Sequence, residues 1–254
     1  MPGGRRAWER AELLEPRIVG REPEFVSDGG GLPFSPGLLS GPAPALDPAD
    51  PAVAALLARL RGERPGLRLP WRRRGSEGVA GTATVAAPDP GANTELAGWR
   101  LLARTDDEAV FGKGRPPLLL TVAARRDGRG GGWSIFAVTR ERPLRASHEG
   151  VRASSWRLEP EDEPGPGATE LRILVTEQRR SGGRYANGRF LTPDLHLGRE
   201  ELILTMFVSP TRSMGVQGPN PETAVRIALP EPVGARVLLD GAVYEPLDGQ
   251  RASV

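Results

Sequence analysis

His148 and His196 are the only two imidazoles in this chain of 254 residues, and there is no cysteine. Nucleophilic catalysis needs a base beside the nucleophile, so a Ser-His-Asp arrangement would have to recruit one of these two rings. No G-x-S-x-G turn is present to offer a serine to either. His148 stands in Ser147-His148-Glu149-Gly150, a loop sequence that predicts a solvated ring. His196 is two residues from Asp194, so on a strand both side chains share one face. Together they make half of a metal site, but two ligands are too few and no second cluster accompanies them. Carboxylates that could act as an acid–base pair are Glu177, Glu200, Glu201, Asp106 and Asp107. The adjacent pairs Asp106-Asp107 and Glu200-Glu201 precede apolar runs, where acids are read as solvated turn residues. The glycine-rich stretch from Gly128 to Gly132 leads into a strand pattern. It therefore lacks the helix N-terminus that cradles a phosphate, and reads as a hairpin turn. No cofactor motif is present.

Binding chemistry is better represented. Residues 179–189 read RRSGGRYANGR, with arginines at 179, 180, 184 and 189 and a tyrosine at 185 on a glycine-softened loop. Arg179, Arg180, Arg184 and Tyr185 could grip phosphates or carboxylates, with the tyrosine stacking. Arg189 is read differently, as a residue that pairs with a buried acid such as Glu177 and fixes strand register. The candidate partner is a protein or an anionic ligand. Nucleic acid is less supported, because a formal charge of +2 gives little long-range field even with an isoelectric point of about 9.6. Lys113 is the single lysine, and arginine keeps its charge at any ordinary pH, which reconciles the two figures.

Three apolar runs alternate with period two around this loop: Leu171/Ile173/Val175, Leu202/Leu204/Met206/Val208 and Val225/Ile227/Leu229. Each is a strand with one face on a core. Further strands are expected at 98–103, 109–112, 118–124, 133–138, 155–158 and 236–239. About eight to ten short strands separated by turn signals predict an all-β antiparallel β-sandwich, immunoglobulin-like, with Greek-key connections.

That β domain is expected over 96–246, with 247–254 as a tail. Residues 1–48 have scattered apolar residues and many glycines and prolines, and are expected as an arm without order of its own. Residues 49–64 predict a short amphipathic helix: Asp50 as N-cap, Pro51 at the first position, and Val53, Leu56, Leu57 and Leu60 on one face. That face is expected to dock on the β domain, with a separate partner or a membrane surface as the alternative. Residues 65–95 read as a linker, with Trp71 beside Arg72, Arg73 and Arg74. Cleavage at these arginines is expected to leave a core beginning near Leu96 to Trp99. The other tryptophans of the strand patterns, Trp99, Trp133 and Trp156, are expected in the core. There is no apolar run long enough for a signal-peptide core or a transmembrane helix, so the chain as written is expected in the cytoplasm. An upstream start would allow export instead.

The stretches TEQRRSGGRYANGR and QGPNPETAVRIALPEPVGARVLLDG resemble a family of small actinobacterial β proteins, mostly exported and often lipoproteins, with no assigned activity. The resemblance rests on Thr176-Glu177, Gly183, Ala186, Gly188-Arg189, Asn220-Pro221, Thr223, Val225, Glu231-Pro232, Gly234, Arg236 and Asp240-Gly241. A weaker match through Trp133, Arg142-Pro143 and Trp156 extends it to roughly 99–241. It implies a β fold and no particular chemistry. Where the resemblance implies a disulfide pair this chain has Arg180 and Val216, and Glu141 where a third cysteine would stand.

The sequence therefore predicts a non-enzymatic β module that binds through the loop at 179–189. The alternatives are a hydrolase whose carboxylates converge only in three dimensions, and a structural subunit of a larger assembly.

Overall fold

The structure is a computed structural model that describes residues 8, 10–62, 91–116, 118–128, 131–140, 142–159, 163–178, 183–211 and 219–244. It is predominantly β. In chain order its strands are β1 (Glu12–Leu14), β2 (Arg17–Ile18), β3 (Phe25–Ser27), β4 (Trp99–Arg104), β5 (Glu108–Lys113), β6 (Leu120–Arg126) and β7 (Trp133–Arg140). They continue with β8 (Arg145–His148), β9 (Val151–Leu158), β10 (Glu170–Thr176), β11 (Asp194–Leu197), β12 (Glu201–Phe207), β13 (Thr223–Ala228) and β14 (Val237–Asp240). Among the described residues two helices, α1 (Pro51–Leu60) and α2 (Ala92–Glu95), lie between β3 and β4. The chain divides into two compact units, one of residues 1–27 and 143–254, the other of residues 28–142.

The first unit is built on the three alternating runs. Leu171, Ile173 and Val175 of β10, Leu202, Leu204 and Met206 of β12, and Val225 and Ile227 of β13 are all fully buried in one cluster. Arg172, between two of them, points the other way and is exposed. Each buried aliphatic side chain contributes about 1.5–3 kcal/mol relative to exposure, so this cluster fixes the register. Ile173 faces Val225 and Leu171 faces Ile227 across the antiparallel β10–β13 pair. A one-residue slip would turn every one of them outward. The strand order is β1-β13-β10-β9-β12-β11-β2, with β14 beside β12 and the β3–β8 pair attached through β9.

Three of these pairings, β1–β13, β2–β11 and β12–β14, are parallel. The antiparallel expectation rested on turn signals between consecutive strands, and parallel neighbours need none. Two of the three come from the segment expected as an arm. Residues 10–48 carry β1, β2 and β3 and a single 3-10 turn at Pro36–Leu39. Strands of two or three residues show no alternation, because they borrow their hydrogen bonds from a sheet that is already formed.

The second unit is a four-stranded antiparallel meander, β4-β5-β6-β7. The hairpin expected at 128–132 joins β6 to β7, closed by Asp127 N–H to the Gly132 carbonyl at 2.7 Å. Helix α1 begins where its cap and proline place it: the Asp50 carboxylate accepts from the amides of Ala52 and Val53. Its buried side is Val53, Leu56 and Leu57 with Ala52 and Ala55, while Leu60, expected on that face, is exposed. The helix packs on β6 and β7, over a core that includes Trp99, Phe111 and Val122. Trp133 packs at its margin, as does Trp156 against the core of the first unit.

The other face of this meander carries the segment after β3. Asp28, buried, accepts a hydrogen bond from the Thr121 hydroxyl and another from the Gly30 amide at 2.8 Å. Gly31 lies so close that an added Cβ would stand 2.7 Å from Val110 Cγ2 and 2.8 Å from Ala123 Cβ. Ala123 has no flexible end to withdraw. Gly31→Ala is therefore expected to cost about 1–3 kcal/mol, measured by urea unfolding. An unchanged midpoint would show that this segment does not pack on the sheet.

Candidate functional site

The loop that carries the candidate binding residues leaves β10 and returns toward β11. Its root is held by one ion pair. Arg189 Nη1 and Nη2 donate to the two carboxylate oxygens of Glu177 at 2.9 and 2.5 Å. The Glu177 side chain is only 4% exposed and that of Arg189 21%. The same guanidinium donates to the carbonyls of Ser209 at 2.6 Å and Tyr185 at 3.3 Å. The bond to Glu177 raises the guanidinium's pKa above its ordinary value against the opposing effect of burial. This is the partner expected for Arg189.

The surrounding bonds involve residues on which the family resemblance rests. Asn220 Nδ2 donates to the Glu177 carbonyl at 2.6 Å, and the Ala186 amide donates to Thr223 Oγ1 at 2.8 Å. Gly188 N–H donates to the Glu12 carboxylate, so β1 also ties the loop. Gly183 and Gly188 take φ of 75° and 70°, where a side chain would be strained. On this braced loop Arg184 is exposed, and the Tyr185 side chain is 63% exposed although its neighbour Ala186 is buried. Arg179 and Arg180 lie outside the described residues, as does Trp71.

A second constellation lies on the outer face of β11 and β12. Leu195, Leu202 and Leu204 point into the core, so Asp194, His196, Glu201, Ile203 and Thr205 point out. They form the floor of a cleft of about 260 Å3. Residues 19–23, with Glu22 among them, Ala146, residues 239–241, Val243 and Tyr244 complete its lining. Asp194 and His196 thus share a face as the spacing requires. Arg17 lies 2.8 Å from Asp194, and Arg21 lies 2.8 Å from Glu201. Glu201 is therefore not the solvated turn residue expected from its position. Among the described residues no group of three or more histidines and acids is placed to hold a metal ion.

Both histidines are engaged. His148 is not solvated: it ends β8, its ring lies 5.5 Å from that of Phe207, and its Nδ1 is 3.3 Å from Arg17 Nη2. A guanidinium only donates, so Nδ1 accepts and a neutral ring carries its proton on Nε2. His196 Nδ1 lies 3.4 Å from the Val19 carbonyl, which only accepts, so this ring is protonated on Nδ1.

No protein family, characterised protein or solved structure matches this chain. The site is therefore read from its own geometry. Among the described residues no helix is long and apolar enough to cross a membrane.

Arg17 and Arg21 had no signal in the sequence, and Asp240 entered only through the resemblance. The two arginines meet their acids from about 180 positions away, and Asp240-Gly241 reads as an ordinary turn. Asp240 Oδ1 does accept the Ala242 amide in such a turn, while Oδ2 accepts from Trp156 N–H. Burial raises the pKa of this carboxyl, against the pull of those two amides and of Arg145. A raised folded-state pKa means that the protonated form favours the fold. That contribution is complete below the unfolded chain's value and is lost as pH rises through the folded value. Asp240→Asn should therefore gain in stability relative to the parent protein as pH rises from acid to neutral. Urea titrations across that range read the difference, and a flat difference would mean the carboxyl is not desolvated.

Proposed function

We propose that the protein is a non-enzymatic binding module that takes an anionic partner on the loop at 179–189. Tyr185 carries this reading. A large aromatic side chain stands in water on a loop whose next peptide group is held at both its polar atoms, the Tyr185 carbonyl by Arg189 and the Ala186 amide by Thr223. A rigid aromatic anchor binds at low entropic cost, because the ordering has already taken place in folding. Arg184 lies beside it, and Arg179 and Arg180 add two further cations by sequence. Arginine forks suit phosphate, sulfate and carboxylate groups.

A carboxylate hydrolase would need a carboxyl free to move a proton. Of the four carboxylates that line the cleft, Asp194 is tied to Arg17, Glu201 to Arg21, and both oxygens of Asp240 to backbone amides, which leaves Glu22 without a second free carboxyl and favours binding over hydrolysis.

Chromatography of the full chain on immobilised heparin, a generic polyanion, tests the proposal. Arg179→Ser/Arg180→Ser/Arg184→Ser should elute at clearly lower salt than the parent protein, as should Tyr185→Ser. Parent retention should fall steeply with ionic strength. Equal elution of parent and triple variant would remove the loop from consideration.

A further inference from the structure

We propose that the cleft of the first unit binds an organic monocation, an ammonium group carried on a small apolar body. This site is separate from the loop and does not depend on it. Its volume of about 260 Å3 approaches the lower end of small-molecule sites, about 300 Å3. Its floor is the outer face of four neighbouring strands, β14, β12, β11 and β2. Leu239 and Ile203 stand side by side there and give the floor an apolar strip. Leu239 and Val243 leave large apolar side chains uncovered at this cleft, 39% and 40% exposed.

The charges select the ligand. Four carboxylates, Glu22, Asp194, Glu201 and Asp240, line the cleft against one guanidinium, that of Arg21. Arg21 is held by Glu201, while Arg17 and Arg145 act on Asp194 and Asp240 from outside the lining. Glu22 remains, and among the described residues it has no cation. One uncompensated carboxylate calls for one positive charge. An anion would be set against four acids, and a neutral ligand would leave Glu22 as it is.

A buried hydroxyl points the same way. Thr205 is only 8% exposed, yet its hydroxyl has no hydrogen-bond partner among the described residues. Its neighbours Leu204 and Met206 turn into the core, so Thr205 turns into the cleft. Gly241 leaves it room, since an added Cβ there would collide with Thr205 Oγ1. An ammonium has three donors and no acceptor, and a hydroxyl can accept one of them. The neutral His196 ring adds no donor to the lining, because its one proton lies on Nδ1 at the Val19 carbonyl. Acceptors therefore outnumber donors around the cleft, which a donor-rich cation fits. Its apolar body would cover Ile203, Leu239 and Val243.

The test is an NMR titration of the full chain, 15N-labelled, with phenethylammonium. Phenethyl alcohol and hydrocinnamate serve as neutral and anionic controls of similar shape. Phenethylammonium should give saturable shifts at the amides of residues 19–23 and 239–244, with a millimolar midpoint that rises with salt. Neither control should saturate over the same range. Glu22→Gln and Thr205→Val should each weaken that midpoint about fivefold while the spectrum stays folded. Glu22 is exposed and valine keeps the shape of threonine, so neither change threatens the fold. If phenethylammonium does not saturate, if a control binds as tightly, or if either variant binds as the parent does, the cleft is not a site for an organic cation.

Discussion

Arg189→Ala is expected to cost about 3–5 kcal/mol of stability, because it leaves the Glu177 carboxylate buried without its counter-charge. Glu177 is nearly inaccessible to water, and both of its oxygens are satisfied by the one guanidinium. Arg189 also holds the Ser209 and Tyr185 carbonyls, so its loss orphans acceptors on two sides of the loop. By contrast, Arg179→Ser/Arg180→Ser/Arg184→Ser is expected to cost less than about 1 kcal/mol, as substitutions of loop cations usually do. Thermal melts of the two variants separate the roles. A triple variant that melts far below Arg189→Ala would make the loop arginines structural. Glu177→Gln should fall between them, since the amide keeps one acceptor and removes the buried charge.

A chain that begins at Leu96 is expected not to fold, although the composition shift near that residue suggests a domain start. Such a chain lacks Val53, Leu56 and Leu57, which fill the core of the second unit beside Trp99 and Phe111. It also lacks β1, β2 and β3, which pair with β13, β11 and β8. Even the single change Leu56→Ala should cost about 2–5 kcal/mol, since Leu56 is wholly buried. Conversely, a chain cut after Arg74 should stay assembled, its two fragments co-eluting under native conditions and separating in denaturant. If the N-terminal fragment is lost on a native column and the remainder keeps its melting temperature, residues 10–62 do not belong to the fold. This replaces the expectation that cleavage frees an independent core.

The contrast between these two regions shows what the sequence could express. β10, β12 and β13 were legible because their neighbours are fixed on one face only, which writes an alternation that no other structure needs. α1 was legible from local chemistry alone: an aspartate that caps, a proline that starts, and leucines spaced for one face. The Glu177–Arg189 pair was legible because a motif arginine follows a strand that ends in an acid. β1 and β2 were not, because a two- or three-residue strand in parallel contact has neither a turn nor a period. β8 was missed for a different reason. Arg145-Ala146-Ser147-His148 is polar, and it is a strand because β3 and β9 pair with it on either side. The cleft was half legible. Asp194 and His196 announced a shared face, but Arg17 and Arg21 reach that face from the far end of the chain.

Hydrogen exchange of the full chain with and without heparin tests the binding role of the loop most directly, since it reads contact at each segment without a substitution. The expected result is added protection centred on residues 183–189, absent from the cleft residues 194–201 and absent for Tyr185→Ser. Protection that leaves residues 183–189 unchanged, or that persists in full in Tyr185→Ser, would contradict a binding function for this loop.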